Sequence, residues 1–182
     1  MLRGNRVPAL LMALLTAVTI RLAAEAAPTP DETEGPFYKT GSPEREALFG
    51  PSDPGRRIVL TGKVLDSKGS PVSHAWLDFW QADARGRYDN AGFSYRGHVF
   101  TDASGVYRVR TVVPGEYPGR TPHIHVKLRA GNGPVLTTQL FFPDDGRTCD
   151  DPLFKEETVV DLTDVKGGQE ANFDFVVDTR QS

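Results

Sequence analysis

Gly115-Glu116-Tyr117-Pro118-Gly119-Arg120-Thr121-Pro122-His123-Ile124-His125 runs from a turn rich in proline and glycine into Val126-Lys127-Leu128. From Ile124 to Leu128 apolar and polar residues alternate as they do on a strand. Side chains two apart on a strand share a face, with roots about 6–7 Å apart. His123 and His125 therefore converge, and two convergent imidazoles can hold one metal ion, since imidazole suits Zn, Cu, Fe or Ni. A bare pair of strand histidines has a plainer reading too, as ordinary hydrogen-bonded residues. The rest of the chain separates the two.

Outward from this stretch, short strand signals recur between turns. Upstream lie Ile58–Asp66, Ala75–Ala82, His98–Thr101 and Val106–Val112, punctuated by Ser67-Lys68-Gly69-Ser70, Asp83-Ala84-Arg85-Gly86 and Asp102-Ala103-Ser104-Gly105. Downstream lie Val135–Phe142, Glu157–Leu162 and Asn172–Asp178. Roughly eight short strands with regular turns and no convincing helix predict an all-β fold, a single β-sandwich over residues 58–182. Residues 28–57, rich in proline, glycine and charge, predict an extended segment, whose cluster Thr33-Glu34-Gly35-Pro36-Phe37-Tyr38 packs back onto the domain.

Residues 1–27 predict a signal peptide. Arg3 and Arg6 precede an uncharged run from Val7 to Ile20, and Ala23-Ala24-Glu25-Ala26-Ala27 supplies small residues for cleavage. Fourteen residues is short of the roughly twenty needed to span a bilayer, so the expectation is export, to a secreted or periplasmic location; Arg21 leaves an uncleaved anchor as the alternative. Without 1–27 the chain loses three of 21 basic and one of 24 acidic side chains, leaving 18 and 23 and a net charge of −5. That balance argues against a nucleic-acid partner and gives no electrostatic reason to bind membrane. Cys149 is the only cysteine, so no disulfide can form within the chain. It sits in a polar stretch, Asp144 to Asp151, and reads as an incidental thiol.

Two phenols could complete a metal site. Tyr117 lies in a turn where nothing in the sequence calls for an aromatic side chain, and Tyr88 closes the turn after the Trp76–Trp80 strand. A phenolate is a hard anionic ligand that favours a trivalent ion, and two phenolates with one hydroxide neutralise three charges. The alternative set is the two histidines with a carboxylate from Asp83, Asp89 or Asp102, as in non-haem Fe(II) oxygenases. All three aspartates occupy turn positions, which side-chain capping also explains.

The combined motifs resemble the intradiol ring-cleavage dioxygenases, most closely the protocatechuate 3,4-dioxygenase branch. They run in order as Thr33 to Tyr38, Trp80-Gln81-Ala82-Asp83-Ala84 with Gly86 and Tyr88, Arg96-Gly97-His98 with Thr101-Asp102, Pro114-Gly115 with Tyr117-Pro118, Arg120 with Pro122-His123-Ile124-His125, and Thr138 to Phe142. The resemblance implies Fe(III) bound by Tyr88, Tyr117, His123 and His125. It implies a catechol substrate cleaved with O2 between its two hydroxylated carbons to a cis,cis-muconate-type product. Arg120 would then stabilise negative charge developing on the substrate, and Gln139 would orient the reactants. Trp80 is expected to wall the pocket or pack the core, and His74 and His98 to sit at surface or turn positions without ligating. Assembly into a homo-oligomer is compatible with the resemblance. Gly62-Lys63-Val64 with Asp66, Gly69 and Pro71-Val72 is less specific, because transthyretin-like binding sandwiches carry it too. A non-catalytic sandwich that binds a ligand or partner is therefore the competing reading, with a zinc hydrolase or Fe(II) oxygenase behind it.

Overall fold

The computed structural model describes residues 25–143 and 151–179. Among them, nine strands form two sheets: β1 (Arg57–Asp66), β2 (Trp76–Trp80), β3 (Arg96–Phe100), β4 (Val106–Val112), β5 (His123–Arg129), β6 (Val135–Phe141), β7 (Asp161–Val165), β8 (Gly168–Asn172) and β9 (Phe175–Val177). One sheet is antiparallel throughout, in the order β3-β2-β5-β6. The other runs β4-β1-β8-β7, and β9 pairs with the far half of β1.

Alternation selects the core. Ile58, Leu60 and Val64 of β1, Leu77 and Phe79 of β2, and Ile124, Val126 and Leu128 of β5 are all buried in one apolar cluster with Tyr107, Val109, Leu140, Ala171 and Phe175. Where β1 changes partner from β8 to β9, the chain opposite steps inward at Phe173. A Cβ on Gly62 would stand 1.9 Å from the Phe173 carbonyl oxygen, so this crossing tolerates no side chain.

The strand expected over Glu157–Leu162 is displaced. Glu156–Thr158 forms a 3-10 turn and β7 begins at Asp161. The Thr158 hydroxyl donates to the Lys155 carbonyl and closes that turn locally, which competes with extension. The strand expected over Asn172–Asp178 is two, β8 and β9, broken at the Phe173-Asp174 step. β8 (Gly-Gln-Glu-Ala-Asn) carries little apolar signal because only Gln169 and Ala171 turn inward.

β5 differs from an ordinary half-exposed strand: His123, Ile124, His125 and Val126 are all buried. The odd positions face away from the sandwich core, beneath the irregular segment before β1. That segment crosses the outer face of the β3-β2-β5-β6 sheet. Glu32 N–H bonds the Thr137 carbonyl on β6, Arg45 N–H bonds His98 on β3, and Leu48 N–H bonds Arg110 on β4. The part of the outer face that carries Trp80, His123, His125, Gln139 and Phe141 is thereby buried, while Phe100, Arg129 and Val135 at the other end stay exposed.

Candidate metal centre

His123 and His125 are each 2% exposed. In register, His125 lies between Trp80 on β2 and Gln139 on β6. Trp80 stacks on the His125 ring, and Gly35 passes near it, where an added Cβ would lie 3.5 Å from the ring's Cε1. His123 Nδ1 is 2.6 Å from the Thr121 carbonyl, which can only accept, so Nδ1 carries the proton and Nε2 the lone pair. The two Nε2 atoms are 3.2 Å apart. Burial, then the Arg120 cation, lowers the His123 pKa to about 4. Burial, with His123 and Arg120 nearby, holds His125 well below the usual imidazole range. Both rings are neutral at neutral pH, the form that binds a metal.

The phenols arrive on two turns that touch. Gly86, at φ +75°, would place a Cβ 2.0 Å from the Glu116 carbonyl oxygen, and Gly115 would place one 2.5 Å from Gly86 N. Two glycines back to back bring the Tyr88 and Tyr117 turns together, with ring centroids 5.7 Å apart in an edge-on arrangement. The Tyr117 hydroxyl lies 3.4 Å from His123 Nε2. Phe37 stacks on Tyr88 at 4.3 Å. The Tyr88 hydroxyl is buried without a well-formed hydrogen bond. Burial, and the Tyr117 phenol beside it, push its pKa well up. An ionised phenol at that place needs a cation.

These residues fit a metal ion. A 3.2 Å separation suits two nitrogens each about 2.0–2.1 Å from a shared ion. The Tyr88 hydroxyl, buried without a partner, and the Tyr117 hydroxyl, 3.4 Å from His123 Nε2, are oxygen atoms such an ion could take. The carboxylate alternative does not assemble. Asp83 bonds Arg87 and the Arg85 and Arg87 amides, Asp89 bonds the Ala91, Gly92 and Ser94 amides, and Asp102 bonds the Ser104 and Val106 amides. Each caps its own turn. Among the described residues no group of three His, Cys, Asp or Glu side chains comes together.

Arg120 and Gln139 join the same cluster. Arg120 Nη2 donates to Gln139 Oε1, and Gln139 Nε2 donates to the Thr33 carbonyl at 3.1 Å. Arg120 Nη1 lies 3.3 Å from the Tyr117 hydroxyl. Gln139 is fully buried, so it is not an outward polar residue of an alternating strand. A cleft of about 440 Å³ opens beside Tyr117, Arg120 and Asp151, within the size range of small-molecule sites. His74 stacks on Phe100, and His98 lies within β3, bonding Ser42 through Nδ1. Cys149, and residues 1–24 of the expected signal peptide, lie outside the described residues.

Three further side chains shape the site, and of these only Asp151 carried no signal in the sequence. Trp80 alternates with the core of β2 yet faces His125. Phe37 reaches Tyr88 from 51 residues away. Asp151 accepts from Arg120 Nε at 2.9 and 3.0 Å and is buried. Burial pushes the Asp151 pKa up, but the Leu153 and Thr121 amides and the Arg120 cation more than offset it, so the carboxyl stays ionised.

Comparison with known proteins places the chain among dioxygenases. Residues 33–179 match the family model described as Dioxygenase. The chain is 40% identical over 119 residues to the protocatechuate 3,4-dioxygenase beta chain of Burkholderia cepacia, covering 56% of this chain and 51% of that one. It is 31% identical over 167 residues to the catechol 1,2-dioxygenase of Acinetobacter baylyi, covering 75% and 54%. The chain thus spans about half the length of these two relatives. Among solved structures, it matches the dioxygenase domain of a dioxygenase carbohydrate-binding protein fusion from Streptomyces sp. SirexAA-E. That match has 47% identity and a TM-score of 0.82, covering 85% of this chain and 100% of that one.

Proposed function

Because the chain belongs to the intradiol ring-cleavage dioxygenase family, we propose that it opens a catechol-type ring between its two hydroxylated carbons. O2 is the co-substrate and a cis,cis-muconate-type acid the product. Tyr88, Tyr117, His123 and His125 hold Fe(III) in this reading. The observation that carries it is the meeting of two neutral imidazole Nε2 atoms and the Tyr117 hydroxyl beside the orphaned, buried hydroxyl of Tyr88.

Fe(III) held by these four residues would supply the Lewis acidity that catechol ring opening needs. The chain's own residues do the rest. Two phenolates offset most of the ion's charge, so the buried layer is not left with a large net charge. Trp80 fixes the plane of His125 and covers one of its faces. Arg120 holds a guanidinium beside the Tyr117 oxygen, where it meets negative charge that grows on the substrate. Gln139, its amide oriented by Thr33, steadies that guanidinium. A non-catalytic binding sandwich requires none of this convergence, and the dioxygenase relatives favour the enzyme. Export of the chain with removal of residues 1–27 is part of the same proposal, supported by the leader-like N-terminus.

Metal content tests the reading first. Purified protein should carry about one iron per chain and be red to burgundy, from phenolate-to-Fe(III) charge transfer. A protein that stays colourless and iron-free after reconstitution with iron would overturn it.

A further inference from the structure

We propose that Asp151 is a positioning residue for Arg120, aiming the guanidinium at the reacting centre; this rests on the ring-cleavage reading above. Arg120 has a long side chain, yet only 14% of it is exposed. Its Nε is held by both Asp151 oxygens at 2.9 and 3.0 Å. Asp151 is itself fixed: Oδ2 accepts from Thr121 N at 2.9 Å and Thr121 Oγ1 at 3.1 Å, and Oδ1 accepts from Leu153 N at 3.0 Å. Its side chain is fully buried. A guanidinium whose Nε is held by a fixed carboxylate cannot swing freely, and its planar fork then sets the directions of its two Nη groups. Here one points at the Tyr117 hydroxyl and the other at Gln139.

The arrangement does two things at once. It ties the stretch after β6 to the turn that carries Tyr117, across 31 positions of sequence. It also sets an anionic carboxylate behind the guanidinium, which tempers its charge while leaving the two Nη groups on Tyr117 and Gln139. A lysine at 120 would keep the charge but has neither the Nε edge nor the fork.

Iron-loaded Asp151→Asn, Arg120→Lys, Arg120→Ala and Arg120→Ala/Asp151→Asn proteins test this, read by iron content, visible spectrum, melting temperature and catechol kinetics. Asp151→Asn is expected to keep its iron, shift the phenolate band because Nη1 is no longer held on Tyr117, and lose roughly 10–100-fold in kcat with little change in KM. Arg120→Lys should be about as impaired as Arg120→Ala. Added methylguanidinium should restore activity to Arg120→Ala and not to the double variant. An Asp151→Asn protein that melts lower but keeps the wild-type band and kcat would overturn the proposal, leaving Asp151 a fold clip. So would wild-type kcat in Arg120→Lys, which holds even if Asp151→Asn fails to fold. If the wild-type protein binds iron yet opens no catechol, the reaction assignment fails, while the band shift of Asp151→Asn still decides whether Asp151 orients Arg120.

Discussion

The indole of Trp80 lies flat against the imidazole of His125, with ring centroids 4.7 Å apart and planes 9° from parallel. Trp80 is 1% exposed and its Nε1 has no hydrogen-bond partner, so its contribution is contact area and shape. Trp80→Ala should cost about 3–5 kcal/mol through the cavity it leaves. It should also weaken iron retention, because His125 loses the surface that fixes its plane. Trp80→Phe should lose much less of either. Denaturant melts together with iron retention under chelator challenge would check both; unchanged retention in Trp80→Ala would show that the stack does not orient the ligand.

Gly86 decides whether the two tyrosine turns can meet. Alanine there meets both a positive φ and the Glu116 carbonyl 2.0 Å from its Cβ. Gly86→Ala should destabilise by more than about 1 kcal/mol, lowering the melting temperature by at least roughly 2–4 °C, and should reduce bound iron. Gly119→Ala is the control: its φ is +77°, but nothing lies within 4 Å of the added Cβ. It should show the backbone strain without the loss of iron.

Ligand variants should differ in kind. His125→Ala should lose iron, since it removes one of the two facing Nε2 atoms. Tyr117→Phe should keep part of the iron and shift the visible band. Elemental analysis and absorption spectra of the purified variants distinguish the two patterns, and equal iron in His125→Ala and wild type would remove His125 from the metal set.

Arg120→Ala should lower kcat more than it raises KM, by a factor of roughly 10²–10³ if the guanidinium acts on charge that develops during the reaction. A pure KM effect would mean that Arg120 only helps substrate bind.

Much of this was legible in the sequence because period-2 alternation reports burial directly. β1, β2, β4, β5 and β6 emerge from it close to their true bounds, and the spacing of His123 and His125 reveals a shared face. What alternation cannot report is which face. On the first half of β5 both faces are buried, because a segment with no periodicity of its own covers the outer one. Contacts such as Gln139 with the Thr33 carbonyl span 106 positions and leave no local pattern. β7 and β8 were obscured for the opposite reason: a polar outer hairpin with few inward residues gives almost no apolar signal. Asp151 gave no signal because its stretch is polar throughout in sequence, and one buried carboxylate there reads like any other aspartate.

The most direct test is the product formed from catechol by purified, iron-loaded protein under O2. The expected result is muconate absorbance, with both product carboxyls labelled when the gas is isotopically enriched in heavy oxygen, and with activity strongly reduced in Tyr88→Phe and Arg120→Ala. The yellow semialdehyde of cleavage outside the two hydroxyls, or ring opening undiminished in those two variants, would contradict an intradiol reaction at this site.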